Sequence, residues 1–107
     1  MKNVLFICSQ NRLRSPTAEQ VFASRNDIEV ASAGLDRTCG NPVTPELLEW
    51  AAIVFVMEKD HRRKLSARFG PFLKSAKVIC LDIPDDYAFM DPALVRILEA
   101  RVPRFLP

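Results

Sequence analysis

Four short runs along the chain are almost entirely apolar and rich in β-branched or aromatic residues. They cover Asn3 to Cys8, Ile28 to Ala33, Ala52 to Met57 and Lys77 to Leu81. A strand with one wet face alternates apolar and polar residues, whereas continuous apolar runs of this length are typical of strands covered on both faces of a parallel sheet. The pattern therefore predicts four buried strands.

Segments with the features of helices lie between and after these runs. Ser15-Pro16, Thr44-Pro45 and Asp91-Pro92 each place a capping residue before a proline, and apolar residues at helical spacing follow. A shorter basic helix is predicted from Lys59 to Phe69, with Gly70-Pro71 as its stop signal. Strands that alternate with helices imply right-handed crossovers, and hence a small open α/β sheet.

Composition and charge predict one folded domain over residues 1–107 and exclude some partners. With 49% hydrophobic and 26% charged residues, the chain is unlike a disordered protein. Its longest apolar stretch, Trp50 to Met57, is far short of the ~20 residues of a membrane span. A net charge of +2 makes no case for nucleic acid, whose binding rests on many phosphate contacts. We expect neither membrane nor nucleic acid as a partner.

The cysteine count bears on the compartment. Cys8, Cys39 and Cys80 are odd in number and form no Cys-x-x-Cys pair, which disfavours disulfide frameworks and structural zinc. The first apolar run, which directly follows Met1-Lys2-Asn3, is too short for the apolar region of a signal peptide. A reducing cytoplasm is therefore the expected setting.

The loop after the first predicted strand is the candidate site, because ligands bind beyond the carboxyl ends of strands in open α/β sheets. Backbone N–H groups of a loop that curls into a helix N-terminus converge on one point and favour an oxyanion there. Arg14 adds a planar, two-pronged donor that matches two oxygens of a phosphate. The predicted phosphate-binding residues are Ser9, Gln10, Asn11, Arg12, Leu13, Arg14 and Ser15.

Cys8 lies at the tip of the same strand, beneath this predicted phosphate site. The positive potential of the loop favours the thiolate of Cys8, which is the nucleophilic form. The Ser15 hydroxyl either donates to that thiolate or caps the helix. A thiolate beneath a bound phosphate points to attack at phosphorus and a cysteinyl-phosphate intermediate. The alternative, a merely buried Cys8 with a solvated Arg14, fits less well because position, capping and electrostatics agree.

The block from Val4 to Glu19 resembles the signature of the low-molecular-weight protein tyrosine phosphatases, in a short bacterial-type form. The resemblance continues in Ser32-Ala33-Gly34, in Ala52 to Met57 and in the acid loop from Asp82 to Tyr87, so it covers most of the chain. It implies a three-layer α/β fold, with a four-stranded parallel sheet flanked by helices. It also implies a phosphorylated protein or small aryl phosphate as substrate, inorganic phosphate as product, and no metal or organic cofactor.

The resemblance also implies roles for individual residues. Cys8 would be the nucleophile, Arg14 the phosphate clamp, and Asp85 the general acid for the phenolate and then the base for water. Asn11 matches the asparagine that holds the loop through a left-handed backbone conformation. Ser15 would stabilise the thiolate as it leaves in the second step.

Several positions depart from the family pattern. Gln10 replaces a common glycine, Leu13 a frequent second cysteine, and Asp86 the proline after the acid. Asp85 and Asp86 both remain candidates for the acid, with Asp85 first. Tyr87, the only tyrosine, either stacks on a substrate ring or packs half-buried. The segment between Gly34 and Trp50 is shorter than in the family, which removes part of the wall around a substrate ring.

Two other functions on this fold remain as alternatives to the phosphatase. A non-enzymatic module on this fold would bind a phosphorylated ligand without turnover. A thiol-dependent arsenate reductase shares the fold but needs closely spaced further cysteines, and Cys39 and Cys80 lack that spacing.

The single histidine, His61, belongs to a basic run predicted to be the exposed face of a helix, so we do not expect it in the site.

Overall fold

The computed structural model describes residues 1–107 and contains four strands that alternate with four α-helices. The strands are β1 (Lys2–Cys8), β2 (Ile28–Gly34), β3 (Ile53–Val56) and β4 (Lys77–Cys80). The helices are α1 (Arg14–Phe22), α2 (Pro45–Trp50), α3 (Lys59–Phe69) and α4 (Pro92–Arg101). Short 3-10 turns follow α3 and α4. None of these helices has the length and apolar character needed to cross a lipid bilayer.

All neighbouring strands in the sheet run parallel, in the order β2-β1-β3-β4. β1 is therefore central: it pairs with β2 from Lys2 to Cys8 and with β3 from Val4 to Ile7. The chain moves from β1 to one side and then returns to its other side, so the strand order reverses there. The loops after β1 and β3 flank this reversal, which is where open α/β sheets bind ligands.

The core consists of two clusters, one on each face of the sheet. Alternate residues of β1 belong to different clusters, since successive side chains of a strand point to opposite faces. Val4 and Phe6 pack with α1 and α4, whereas Leu5 and Ile7 pack with α2 and α3. This burial on both faces explains the continuous apolar runs and confirms the predicted three-layer arrangement.

Two of the predicted helix starts have the expected caps. The Thr44 hydroxyl accepts a hydrogen bond from the N–H of Leu47 at 3.2 Å, and the Asp91 carboxylate accepts one from the N–H of Ala93 at 2.9 Å. The start of α1 differs, because the helix already begins at Arg14 and has no side-chain cap. Ser15 lies inside the first turn and is fully buried. Its hydroxyl is therefore available to the end of β1.

Candidate active site

A cavity of about 260 Å³ opens at the carboxyl end of β1. It is lined by Cys8, Ser9, Gln10, Arg12, Leu13, Arg14 and Asp85. Of the predicted phosphate-binding residues, only Asn11 and Ser15 do not line it. The loop of residues 9–13, between β1 and α1, is called the phosphate loop below. The structure thus gathers most of the predicted site around one cavity.

The phosphate loop contains no glycine, and Asn11 supplies its left-handed backbone conformation, with φ 56°. Asparagine tolerates that conformation better than most residues do. The Asn11 side chain also donates from Nδ2 to the Ser15 hydroxyl oxygen at 3.0 Å. One residue therefore shapes the loop backbone and ties it to the first turn of α1.

Cys8 ends β1 and is almost fully buried, with 3% of its surface exposed. Its sulfur lies 2.9 Å from the Ser15 hydroxyl oxygen. Since that oxygen accepts from Asn11, the hydroxyl hydrogen is free to point at the sulfur. Of the two roles left open for Ser15, the structure supports contact with the cysteine and not the helix cap.

Arg14 is the most buried cation of the site, with 2% of its surface exposed. Its Nη1 donates to the Glu58 carboxylate at 2.5 Å and to the Ile83 carbonyl at 2.7 Å. Neither Nε nor Nη2 makes a hydrogen bond within the chain. A guanidinium offers two parallel N–H groups along that edge, the geometry that suits two phosphate oxygens. Arg14 is thus held through Nη1, while its Nε and Nη2 have no hydrogen-bond partner and only the Asp85 carboxylate lies near Nε, at 3.6 Å.

Asp85 lies on the rim of the cavity, with one carboxylate oxygen 3.6 Å from Nε of Arg14. Its neighbour Asp86 is exposed and does not line the cavity. Tyr87, expected as a wall for a substrate ring, does not line the cavity either; it is half-buried and packs against the core. Half-buried packing was the second of the two roles that the sequence left open for Tyr87.

His61 is the residue that the sequence analysis placed wrongly. It is buried, with 4% of its surface exposed, and its Nε2 lies 3.0 Å from the Ser9 hydroxyl oxygen. Burial lowers the pKa of His61, which the Glu58 carboxylate partly opposes. The basic residues around it suggested an exposed face, but His61 precedes Leu65 by one helical turn. That spacing places His61 on the inward side of α3 with Leu65.

Sequence reasoning also missed Glu58, although its carboxylate connects Arg14 and His61. One of its carboxylate oxygens lies 2.5 Å from Nη1 of Arg14 and 3.7 Å from Nε2 of His61. Glu58 follows β3 almost directly, at the strand end beside β1. Strand order was the missing information, because only adjacency of β1 and β3 brings this carboxylate to the phosphate loop.

Gly34 supports the phosphate loop from the side of β2. It pairs with Cys8 in the sheet register. A Cβ at this position would come within 2.7 Å of the Cys39 sulfur, 2.9 Å of the Ser9 carbonyl oxygen and 3.0 Å of the Gln10 carbonyl carbon. Only glycine allows so close an approach. Backbone hydrogen bonds from Leu35 to Cys8 and from Asp36 to Ser9 hold the two segments together.

Known proteins share this fold. A family model of the low molecular weight phosphotyrosine protein phosphatases matches residues 3–52. The fold is similar to that of a low molecular weight protein tyrosine phosphatase from Streptococcus pyogenes, at 17% identity and a TM-score of 0.81 over 100% of this chain and 95% of that one. No curated protein matches the chain in sequence.

Two further structures broaden the comparison. The tyrosine phosphatase Wzb from Escherichia coli K30, in complex with phosphate, has 23% identity and a TM-score of 0.75 over 97% of this chain and 95% of that one. The arginine phosphatase YwlE from Geobacillus stearothermophilus has 20% identity and a TM-score of 0.72 over 94% and 85%. At these identities the likeness establishes the fold.

The fold and a cysteine in a loop of this kind are similar to those of phosphatases of the cysteine class. The family match includes β1, the phosphate loop and the start of α1, which together carry Cys8 and Arg14. Residues 3–52 thus match the low molecular weight phosphotyrosine protein phosphatase family, and the whole chain shares the fold of such proteins.

Proposed function

We propose that this protein hydrolyses phosphate monoesters, with aryl phosphates such as phosphotyrosine in proteins as the substrate class, through a cysteinyl-phosphate intermediate. The observation that carries the proposal is the Cys8 sulfur beneath the cavity, 2.9 Å from a hydroxyl whose hydrogen is free to stabilise a thiolate. A thiolate in this position is a nucleophile facing the place where a phosphoryl group would bind.

In the first step the Cys8 thiolate attacks phosphorus, and the bond from phosphorus to the leaving oxygen breaks. The open edge of Arg14 and the backbone N–H groups of the phosphate loop hold the remaining oxygens. Because these donors are already oriented toward the phosphoryl group, they stabilise the negative charge that is spread over its oxygens in the transition state. Asp85 donates a proton to the departing oxygen, so the leaving group departs as a neutral phenol.

In the second step water attacks the phosphorus of the cysteinyl phosphate while the Asp85 carboxylate accepts a proton from that water. The sulfur–phosphorus bond breaks, and Cys8 leaves as a thiolate stabilised by the Ser15 hydroxyl. Inorganic phosphate is the product. Asp85 is preferred to Asp86 as acid because it lines the cavity and lies 3.6 Å from Arg14.

Phosphoarginine is a second candidate substrate, which the absence of an aromatic side chain from the cavity lining favours. Without an aromatic wall, the cavity offers a substrate ring no stacking partner. A structural neighbour is an arginine phosphatase. Initial rates on phosphotyrosine and phosphoarginine, compared in one assay, separate the two substrate classes.

The function is tested by hydrolysis of p-nitrophenyl phosphate by the wild type and by Cys8→Ser, across about pH 5 to 8. Turnover lost only in the variant supports the phosphatase. If neither protein hydrolyses p-nitrophenyl phosphate while orthovanadate or phosphate still stabilises the wild type against unfolding, the protein is instead a phosphate- or phosphoprotein-binding module. Arsenate-dependent oxidation of thioredoxin that requires Cys39 or Cys80 would instead indicate an arsenate reductase. We place the reaction in a reducing cytoplasm, which suits three free cysteines.

A further inference from the structure

Ser9 and His61 meet at the boundary between the cavity and the interior. Ser9 is exposed and lines the cavity, whereas His61, in the first turn of α3, is buried. Nε2 of the ring lies 3.0 Å from the Ser9 hydroxyl oxygen, and this is the only hydrogen bond that the hydroxyl makes within the chain. The direction of that bond decides whether the Ser9 hydrogen is free.

The surroundings of the ring indicate the direction. Nδ1 of His61 is buried and has no hydrogen-bond partner. A hydrogen on Nδ1 would be a buried, unpaired N–H donor, which is rarer in proteins than an unpaired acceptor. Nε2 also lies 3.7 Å from a Glu58 carboxylate oxygen, which favours a hydrogen on that nitrogen. The ring therefore carries its hydrogen on Nε2 and donates to Ser9.

The ring is also neutral near neutral pH. Burial lowers the pKa of His61, and the positive charges of Arg14 and Lys64 act in the same direction. Glu58 and Asp60 oppose them, with a smaller combined effect. Because the ring is neutral and its one N–H is on Nε2, His61 remains a hydrogen-bond donor to Ser9 near neutral pH.

We propose that His61 is a positioning residue that, by donating to the Ser9 oxygen, turns the Ser9 hydroxyl hydrogen toward the phosphate cavity. Ser9 then adds a side-chain donor to the backbone donors of the phosphate loop. This inference rests on the proposed function only in that the cavity binds a phosphoryl group. Ser9 contacts that group, while His61 acts through Ser9 and transfers no proton.

A double-mutant cycle on phosphate affinity tests the inference. Binding of inorganic phosphate at neutral pH is measured by calorimetry for wild type, Ser9→Ala, His61→Leu and the double variant. Each single change is expected to weaken phosphate binding about 10-fold, as loss of one hydrogen bond to a charged group does. The double variant is expected to bind no more weakly than either single variant, since both changes remove the same donor.

His61→Gln is the matched conservative variant, because its amide can still donate to Ser9. It is expected to keep phosphate affinity within a few-fold of wild type. A purely structural histidine predicts lower thermal stability in His61→Leu with unchanged phosphate affinity, and that result overturns the inference, as does additivity in the cycle. If His61→Leu fails to fold, Ser9→Ala decides: unchanged affinity in this variant also overturns it.

The affinity readout separates this inference from the proposed phosphatase. A wild type that binds phosphate but hydrolyses no aryl phosphate removes the proposed function and leaves the affinity cycle interpretable. A wild type that binds no phosphate removes both. A wild type that hydrolyses aryl phosphate, with a cycle that is additive, removes only the role of His61.

Discussion

The Ser15 hydroxyl lies 2.9 Å from the Cys8 sulfur while accepting a hydrogen bond from Asn11. The Asn11 amide donates to the Ser15 oxygen, so the hydroxyl hydrogen of Ser15 is available to the Cys8 sulfur. In the proposed cycle the sulfur is anionic twice, first as nucleophile and then as leaving group. A donor fixed at this position favours both anionic states.

Ser15→Ala is therefore expected to slow the breakdown of the cysteinyl phosphate. We expect kcat to fall roughly 10²–10³-fold, the usual effect of removing one donor from a developing anion. Rapid-mixing kinetics on p-nitrophenyl phosphate should show a burst of p-nitrophenol followed by slow turnover. Ser66→Ala, on the exposed side of α3, is the matched control. Steady-state rates equal to wild type would contradict a role for this hydroxyl.

Asp85→Asn is expected to slow hydrolysis of aryl phosphates about 10²–10⁴-fold, since it removes the acid that protonates the leaving oxygen. Asp86→Asn, its exposed neighbour, should leave the rate close to wild type. Both are measured as kcat on p-nitrophenyl phosphate. The opposite result would move the role of the acid from Asp85 to Asp86.

Glu58→Gln is expected to change the response of the protein to phosphate. The Arg14 guanidinium is buried and loses a charged partner, so the free energy of unfolding should fall by about 1.5 kcal/mol without anion. Bound phosphate restores a negative charge beside Arg14. Thermal unfolding with and without phosphate should therefore show a larger stabilisation in Glu58→Gln than in wild type.

The control for this variant is Glu99→Gln, an exposed change on α4. It should match wild type in both conditions. A smaller phosphate shift in Glu58→Gln than in wild type would mean that Glu58 acts mainly by holding Arg14 in place.

Gly34→Ala is expected to disturb the phosphate loop by direct contact from the end of β2. The added methyl group would meet backbone atoms of Ser9 and Gln10 at about 3 Å, and backbone cannot move aside as a flexible side chain can. We expect lower thermal stability together with weaker phosphate binding. Gly40→Ala adds the same methyl where no atom lies within 4 Å, so both properties should be unchanged. Equal behaviour of the two variants would refute the close approach.

His61 makes stability depend on pH. Burial lowers its pKa from the ordinary 6.5, so the unfolded chain takes up this proton more readily than the folded chain does. Below that value the folded state loses stability, and above it His61 contributes nothing. Between about pH 7.5 and 5.5, the free energy of unfolding of wild type should fall relative to His61→Gln.

Chemical unfolding of the two proteins at several pH values measures the difference. The carboxyls whose pKa is lowered, including Asp36 and Asp60, titrate near or below 3.8 and stay outside this window. A constant gap between wild type and His61→Gln would show that His61 has the same proton affinity in both states.

The elements of the fold were predictable because each depends on local sequence. Two-sided burial makes the runs before Cys8 and Met57 continuously apolar, and Thr44 and Asp91 cap their helices in the usual way. The phosphate loop was predictable for the same reason, since it lies within one strand-loop-helix segment. The resemblance to a family added expectations for residues outside that segment.

The network behind the loop was not predictable, because it depends on which strands are adjacent. Glu58 reaches Arg14 only because β3 lies beside β1, and periodicity contains no information on strand order. His61 was hidden by the charged residues around it. The packing of Tyr87 follows from the path of the loop after β4, which no local pattern specifies.

The phosphate loop curves with no glycine among residues 9–13, and the segment after β2 donates one backbone hydrogen bond to Ser9 in the loop and one to Cys8 just before it. A glycine-rich loop has many accessible conformations and loses most of that freedom when an anion orders it. Here Asn11 and Gly34 have already restricted the backbone as the sheet forms. The conformational entropy of the phosphate loop is thus lost on folding, and an anion that binds does not have to order its hydrogen-bond donors.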